Sequence, residues 1–308
     1  MDGIKILGAG HAFGDELLTN DALSQVVETS DEWIQSRTGI QARRICQKTD
    51  CLAMASKAAS SALDQAGISA MDLDVLIAAT LSFEKTIPSL ACSVAARLGI
   101  EKSDLLAFDI NSACTGFLHG IQCAAALLKN GQKALVLAAE RLSSHVDWTD
   151  RGTCILFGDG AGAVVLEKRE DSFFYAFSGT EPDTIGGLSL AKPGKIEMSG
   201  SDIFRFATRV MPKAIDRVLT QAGADVGDVD LIIPHQANAR IIDHVKRKLK
   251  LDDEKVWMNL QTYGNTSAAS IALGLSEAYE QKKITEGCRL LLVGFGGGFS
   301  YGAIYCQV

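Results

Sequence analysis

The chain has no apolar run approaching the roughly 18 residues that a membrane-spanning helix needs, so no span is expected. It has no basic excess either: 30 Lys and Arg stand against 37 Asp and Glu, a net charge of −7. A general nucleic-acid binder, whose phosphate contacts require a basic surface, is therefore disfavoured. The opening stretch MDGIKILGAGHAFGDE lacks a basic segment followed by a long apolar one. No secretory leader is expected, and a cytoplasmic location follows as an expectation. The eight cysteines (46, 51, 92, 114, 123, 154, 288 and 306) include no CxxC pair and no Cys/His zinc spacing. Neither a disulfide framework nor a metal is implied, and all but Cys114 are expected to be buried, reduced thiols behaving as small hydrophobes.

What is present is a globular composition: 308 residues, 47% hydrophobic, 22% charged, with 29 glycines. That length corresponds to about two domain units. The two units are copies of each other. LDQAGISAMDLDVLI, from Leu63 to Ile77, returns as LTQAGADVGDVDLII from Leu219 to Ile233, an offset of 156 residues. Each copy reads as a helix closed by glycine, a polar loop and a short apolar strand. VAARLGIEKSD from Val94 then answers VKRKLKLDDEK from Val245, at offset 151, which carried forward sets Cys114 on Asn265. KALVLAAE from Lys133 answers CRLLLVGF from Cys288, and GAGAVVLEK from Gly160 answers SYGAIYCQV from Ser300.

Short apolar runs alternate with helical patterns: IKILGAG, VLIAAT, LLAFDI, ALVLAA, AVVLEK, LIIPHQ, VWMNL, RLLLVGF and GAIYCQV. Continuous apolar strands between helices imply α/β sheets buried on both faces. The halves are expected to span residues 1–170 and 171–308, with a pocket between them. The stretch from Pro182 to Gly200 reads as one long irregular loop near that junction.

DINSACTGFLHGIQCAAALLKNG places Cys114 where a buried strand turns into a helix, with Phe117, Leu118, Ile121, Ala125 and Leu128 at helical spacing. Backbone N–H groups and the positive end of the helix dipole should lower the thiol pKa there and could hold an oxyanion. A buried structural cysteine at a tight turn fits this stretch taken alone equally well. IIPHQANARIIDHVKRKL sets His235 at a strand end in a polar turn with Gln236 and Asn238. LQTYGNTSAASIALGLSEA sets Asn265 at the start of a helix of small residues, with Thr266 and Ser267 available as caps. Asn265 is also the repeat mate of Cys114. GFGGGFSYGA, from Gly294, is either a hairpin or a backbone wall able to donate an N–H to a substrate. LGAGHAFG misses the dinucleotide-binding spacing by one residue, so a nicotinamide enzyme is disfavoured.

The Cys of DINSACTGF, the His of PHQAN and the Asn of GNTSAAS resemble those of β-ketoacyl-acyl carrier protein synthase III, a thiolase-superfamily family. TSDEWIQSRTGIQARR, DRGTCILFGDGAGAVVLE and GFGGGFSYG resemble it too, so the likeness runs over nearly the whole chain. It implies a thiolase-like duplicated five-layer α-β-α-β-α fold. It implies a decarboxylating Claisen condensation initiating fatty acid synthesis, in which an acyl-CoA primer acylates Cys114 and malonyl-acyl carrier protein then condenses with it. His235 and Asn265 would hold the enolate oxygen, the N–H groups of Cys114 and Gly297 a second oxyanion, and Phe295 would pack beside the pair.

On the same resemblance Trp33 and Arg151 would sandwich the CoA adenine and Arg37 would meet phosphates. Thr29, Asn238, Gly200 and Phe204 would line the pantetheine arm. Arg205, Arg240, Lys246, Arg247 and Lys248 would form the basic surface that receives the acidic carrier protein. A homodimer is implied, with Ile87 at the acyl-pocket wall, contributed across the dimer. No cofactor is implied, since acyl-CoA is a substrate. Departures from neighbouring families sharpen the reading. GFGGGFSYG lacks the second cysteine of thiolases, Leu81 stands where hydroxymethylglutaryl-CoA synthases place a glutamate, and no GFGPG-type motif of chalcone synthases is present. Ile87 replaces the family's common phenylalanine, which suggests longer or branched primers, and the segment from Glu170 to Ile196 is also shorter than usual. A secondary-metabolism condensing or acyl-transferring relative, and a non-catalytic carrier-protein-binding partner, are the alternatives.

Overall fold

The computed structural model describes residues 3–191 and 193–308. Its first sheet is built from β1 (Gly3–Phe13), β4 (Val75–Ala79), β5 (Leu106–Ile110), β6 (Lys133–Arg141) and β7 (Asp159–Arg169), in the order β1-β7-β6-β4-β5. A small hairpin of β2 (Glu16–Thr19) and β3 (Ala42–Ile45) lies outside it. The chain then crosses to a second sheet of β8 (Phe174–Thr180), β11 (Leu231–Pro234), β12 (Arg289–Gly296) and β13 (Ser300–Gln307), in the order β11-β12-β13-β8. Between them, β9 (Leu188–Leu190) and β10 (Ile196–Met198) pair as a hairpin. The segment from Pro182 to Gly200 is therefore partly a β-hairpin, a correction to the irregular loop expected there.

Seven helices of two turns or more matter to the layering among the described residues. They are α1 (Asp31–Thr38), α2 (Cys51–Ala66), α3 (Leu90–Arg97), α4 (Gly116–Leu127), α5 (Gly200–Ala222), α6 (Ala239–Leu249) and α7 (Ala269–Glu280). Adjacent strand residues point to opposite faces, and the burial follows that alternation. Leu76, Leu135 and Val165 pack outward against Met54 and Ala58 of α2 and Leu90 and Val94 of α3. Their neighbours Ile77, Val136 and Val164 pack inward on Phe117, Leu118 and Ile121 of α4 and Ile271 and Leu275 of α7. The same central layer takes Ile233, Leu292 and Ile304 from the second sheet. On that sheet's far face Ile232, Leu291 and Tyr305 meet Val210 and Met211 of α5 and Ile242 and Val245 of α6. The result is a five-layer thiolase-like α-β-α-β-α fold.

The repeat is visible atom by atom. Helices α2 and α5 both close on a left-handed glycine, Gly67 at φ 67° and Gly223 at φ 66°. Ser69 with Asp72, and Asp225 with Asp228, form matching capping boxes over the next turns. The strand registers Val75↔Ala134 and Leu231↔Leu290 differ by the same 156 residues. Lys133 therefore matches Arg289, one residue beyond the Cys288 that sequence alignment had suggested. The carboxylates decide it: Asp74 accepts from the Lys133 N–H at 2.8 Å, and Asp230 from the Arg289 N–H at 2.9 Å.

VWMNL is not a strand. Val256 makes one parallel bridge to Ile232, whose carbonyl accepts from the Trp257 N–H at 2.9 Å, before Asn259 turns the chain into a short helix. The thiols also depart from expectation, since Cys92 is exposed and Cys123 half-buried. Among the described residues no helix is long and apolar enough to cross a membrane.

Candidate active site

The two halves bring three elements to one point. Cys114 lies in a single 3-10 turn, Ala113–Thr115, between β5 and α4. Ala113 takes φ 45° and its repeat mate Gly264 φ 67°, so a positive φ stands just before Cys114 and just before Asn265. Gly296, at the end of β12, completes the approach. A Cβ there would fall 2.9 Å from the Cys114 nitrogen, so only glycine lets β12 come this close.

His235 follows β11 and is fixed by its own N–H to the Val293 carbonyl at 2.8 Å. It is buried, edge-on to Phe295 with ring centroids 5.2 Å apart. Its Nδ1 lies 2.6 Å from Ser270 Oγ on α7, while its Nε2 is buried without a protein partner. Burial holds its pKa down to about 3, so the ring is neutral at physiological pH. Asn265 is clamped through its backbone: its N–H donates to Leu156 O at 2.8 Å and its carbonyl accepts from Gly158 N–H at 3.0 Å. Its side-chain Oδ1 accepts from the Ser267 N–H at 2.9 Å, which leaves the amide NH2 as its other polar end.

The sulfur does not behave as the sequence led one to expect. Burial, with a smaller contribution from the Glu140 carboxylate, pushes the Cys114 thiol up to about 11. The hydroxyl of Ser267, donating to Sγ at 3.3 Å, pulls the other way and is outweighed. Desolvation of a charged sulfur thus outweighs the hydrogen bonds that reach it.

Two cavities meet at Cys114. The first, of about 320 Å³, is lined by Cys114, His235, Asn265 and Phe295 at its base. Gly200, Phe204 and Asn238 line it further out, with Trp33 and Arg37 toward its mouth. The second, of about 430 Å³, is walled by Leu81, Leu142, Phe157, Leu188, Leu190 and Ile196, with Ala113, Ser267 and Gly297 beside the cysteine. The β9–β10 hairpin thus forms one wall of the second chamber.

Other expected positions fall less simply. Arg151 stacks directly on the Trp33 ring, its guanidinium carbon 4.7 Å from the centroid, with Arg37 at 5.9 Å. The two faces of the expected sandwich, guanidinium and indole, are closed on each other, so an adenine would have to part them. Thr29 sits ahead of α1 and does not line either cavity. Ile87 is 84% exposed and lies outside both. Arg205 is exposed beside Asp202, and Arg240 lies over the Phe204 ring at 5.7 Å. Arg247 and Lys248 are exposed on α6. Lys246 is not part of a free basic face: Asp253 at 2.7 Å and Asp243 at 3.5 Å hold its ammonium, and its side chain is only 15% exposed. Its position on α6 turns it toward the loop after the helix.

Ser267 and Ser270, which touch Cys114 and His235, were not singled out from the sequence as site residues. Their signal was their place in GNTSAAS, one and four residues after Thr266 in a helix start lacking large side chains. Among the described residues no group of three or more His, Cys, Asp or Glu could hold a metal ion.

Comparison with known proteins follows the same lines. Residues 108–181 match the family model for 3-oxoacyl-[acyl-carrier-protein] synthase III, and residues 219–308 match the model for its C-terminal part. The β-ketoacyl-[acyl-carrier-protein] synthase III of Clostridium botulinum is 42% identical, covering 99% of this chain and 98% of its own. The chain belongs to the β-ketoacyl-acyl carrier protein synthase III family. The crystal structure of the Aquifex aeolicus 3-oxoacyl-[acyl-carrier-protein] synthase III superposes with a TM-score of 0.95 at 42% identity, covering 99% of this chain and all of that one. The Thermus thermophilus enzyme superposes at 0.93 with 36% identity, covering 98% of each chain. The protein is an acyltransferase, a condensing enzyme of fatty acid biosynthesis with the thiolase fold.

Proposed function

We propose that Cys114 is the acyl carrier between two thioesters that use the same cavity in turn. The observation that carries this is the position of Cys114 where the narrow cavity meets the apolar chamber. In the first half-reaction the Cys114 sulfur attacks the carbonyl carbon of an acyl-CoA primer. The new C–S bond forms on Sγ, the bond to CoA breaks, and the thiol proton ends on the CoA sulfur. The acyl chain then rests in the chamber walled by Leu81, Leu142, Leu188 and Leu190.

Malonyl-acyl carrier protein next presents its thioester in the emptied cavity. Loss of CO₂ moves the carboxylate electrons into the enolate, whose oxygen needs donors rather than a base. A neutral His235 offers Nε2–H and Asn265 its amide NH2, two donors that require no proton transfer. The carbanion carbon attacks the acyl carbonyl, the C–S bond to Cys114 breaks, and the released thiolate takes up one proton. The N–H of Cys114, with Gly297 beside it, serves the tetrahedral oxyanion.

Trp33, Arg37 and Arg151 form the mouth that receives the nucleotide end of CoA. The exposed cations Arg205, Arg240, Arg247 and Lys248 lie on α5 and α6, near that mouth, where an acidic carrier protein would be steered. A homodimer accords with β5, an edge strand with partly exposed apolar residues from Leu106 to Ile110, next to which a second copy would cover apolar surface. Ile87, exposed in the single chain, would then reach a partner's chamber. Ile87 there is smaller than a phenylalanine and would leave more of that chamber open, so primers longer or branched beyond acetyl are the expected substrates.

Intact-protein mass spectrometry tests the reading. Wild-type and Cys114→Ala protein are mixed with acetyl-, isobutyryl- and octanoyl-CoA, then with malonyl-acyl carrier protein. An acyl adduct on wild type alone, discharged as a ketoacyl carrier product, is the expected result. An adduct that malonyl-acyl carrier protein fails to discharge would replace condensation by acyl transfer. A strict acetyl preference would overturn the primer assignment.

A further inference from the structure

Ser267 stands where the sequence suggests a helix cap, yet its hydroxyl does not cap. Helix α7 has no side-chain N-cap bond, and the Ser267 Oγ instead donates to Cys114 Sγ at 3.3 Å. The residue is 2% exposed and holds φ 50°, a left-handed conformation that a serine adopts only at a cost glycine would avoid. That conformation sends its two donors in two directions: O–H to the sulfur, and N–H to Asn265 Oδ1 at 2.9 Å. One strained residue thus touches the nucleophile and sets the amide of its helper.

We propose that Ser267 is a catalytic residue with two separable duties: its hydroxyl stabilises negative charge on the Cys114 sulfur, and its backbone N–H orients the Asn265 amide. This rests on Cys114 being the nucleophile. As Sγ loses its proton and attacks the primer, the Ser267 O–H remains bonded to the growing charge. When condensation expels the sulfur, the same O–H meets the leaving thiolate until it is protonated. Hydrogen bonds to a charged acceptor are about twice as strong as neutral ones, so the effect is largest on the anion. The dry surroundings that push the thiol upward make this donor matter more than it would in water. The N–H duty belongs to the main chain and survives loss of the side chain.

The test uses Ser267→Ala and Ser267→Gly, the second relieving the left-handed backbone so that strain cannot be the cause of a defect. The first readout is the pH dependence of iodoacetamide alkylation at Cys114, followed by intact mass. The second is the rate of acyl transfer from acyl-CoA. The third is CO₂ release from malonyl-acyl carrier protein in a Cys114→Ala background, with and without Ser267→Ala. Both single variants should alkylate on a profile displaced to higher pH and acylate about ten- to a hundredfold more slowly, the scale of a lost bond to a charged group. CO₂ release should change by less than about threefold, because Asn265 remains held.

Unchanged alkylation and acylation in both variants would overturn the hydroxyl's role. Loss of CO₂ release as large as loss of acylation would overturn the separation of duties. Wild-type protein that alkylates with Ser267 dependence but accepts no acyl group from any acyl-CoA would instead overturn the nucleophile assignment on which the proposal rests.

Discussion

Ser270 Oγ is the hydrogen-bond partner of His235 Nδ1. The hydroxyl lies 2.6 Å from Nδ1 and already accepts the Gln236 N–H at 3.3 Å. The donor role proposed for His235 needs that hydroxyl's hydrogen directed at Nδ1 and the ring's own proton on Nε2, the atom without a protein partner.

Removing that arrangement should separate the two half-reactions. His235→Ala is expected to lower CO₂ release from malonyl-acyl carrier protein by about 10²–10³, the usual cost of one oxyanion donor. Ser270→Ala should cause a smaller loss of the same step, because both tautomers become populated. Acylation of Cys114 by acyl-CoA, read by intact mass, should persist in both. If acylation falls in parallel with CO₂ release, His235 serves the thiol as well.

His235 also predicts an acid sensitivity with a definite sign. Its folded pKa of about 3 lies below the unfolded value of about 6.5, so the unfolded chain binds the proton more readily. Its contribution therefore lowers stability as pH falls from about 6.5 toward 3, by up to about 1.4 kcal/mol per pH unit. His235→Gln should show a flatter loss of denaturation midpoint over that window. Equal slopes for the two proteins would mean that the ring is not buried neutral.

At the mouth, Trp33→Ala should raise KM for acyl-CoA by a few-fold to about thirtyfold, the range of a cation–π or stacking contact. The value of kcat should change little, since this contact is remote from the reacting carbon. An acyl-pantetheine lacking the nucleotide is the control and should be almost indifferent to the change. A similar loss with both thioesters would place Trp33 in the fold and not at the adenine.

The repeated carboxylates offer a stability test of the duplication. Asp74→Ala and Asp230→Ala each remove an acceptor from the first N–H of β6 or β12. Each should cost about 0.5–1.5 kcal/mol in chemical denaturation, since water can reach the freed N–H. They share no partner and lie in different sheets, so the double variant should be additive within about 0.5 kcal/mol. Strong coupling would show that the halves do not respond independently.

The duplication was legible because its signals are local. Glycine closes α2 and α5, and a polar residue three places before an aspartate caps each following turn. Cys114, His235 and Asn265 were legible as strand-end and helix-start residues, and the structure gathers them around one cavity. The one-residue slip at Cys288 was not, because KALVLAAE and CRLLLVGF are both uniformly apolar and either register preserves the pattern. The exact match is set by Asp230, a contact 59 residues away along the chain. The thiol pKa was misjudged for a related reason. A helix start can be read from a local stretch, whereas the residues that close over the sulfur, Ser267 and Gly296 among them, lie far along the sequence. Lys246 looked like part of a basic run until Asp253, beyond the end of its helix, took its charge.

The meeting of two cavities at one sulfur has a kinetic consequence. On the proposed reading the acyl chain turns aside into the chamber, and both thioester donors arrive through the same passage past Trp33. The two substrates would never be bound together, and initial rates should give parallel double-reciprocal lines. Each donor in excess should also inhibit the other by occupying the passage at the wrong stage. A cell that accumulates malonyl-acyl carrier protein would then slow the acylation of this enzyme, so the ratio of the two thioesters, and not the level of either, would set how often a new chain begins.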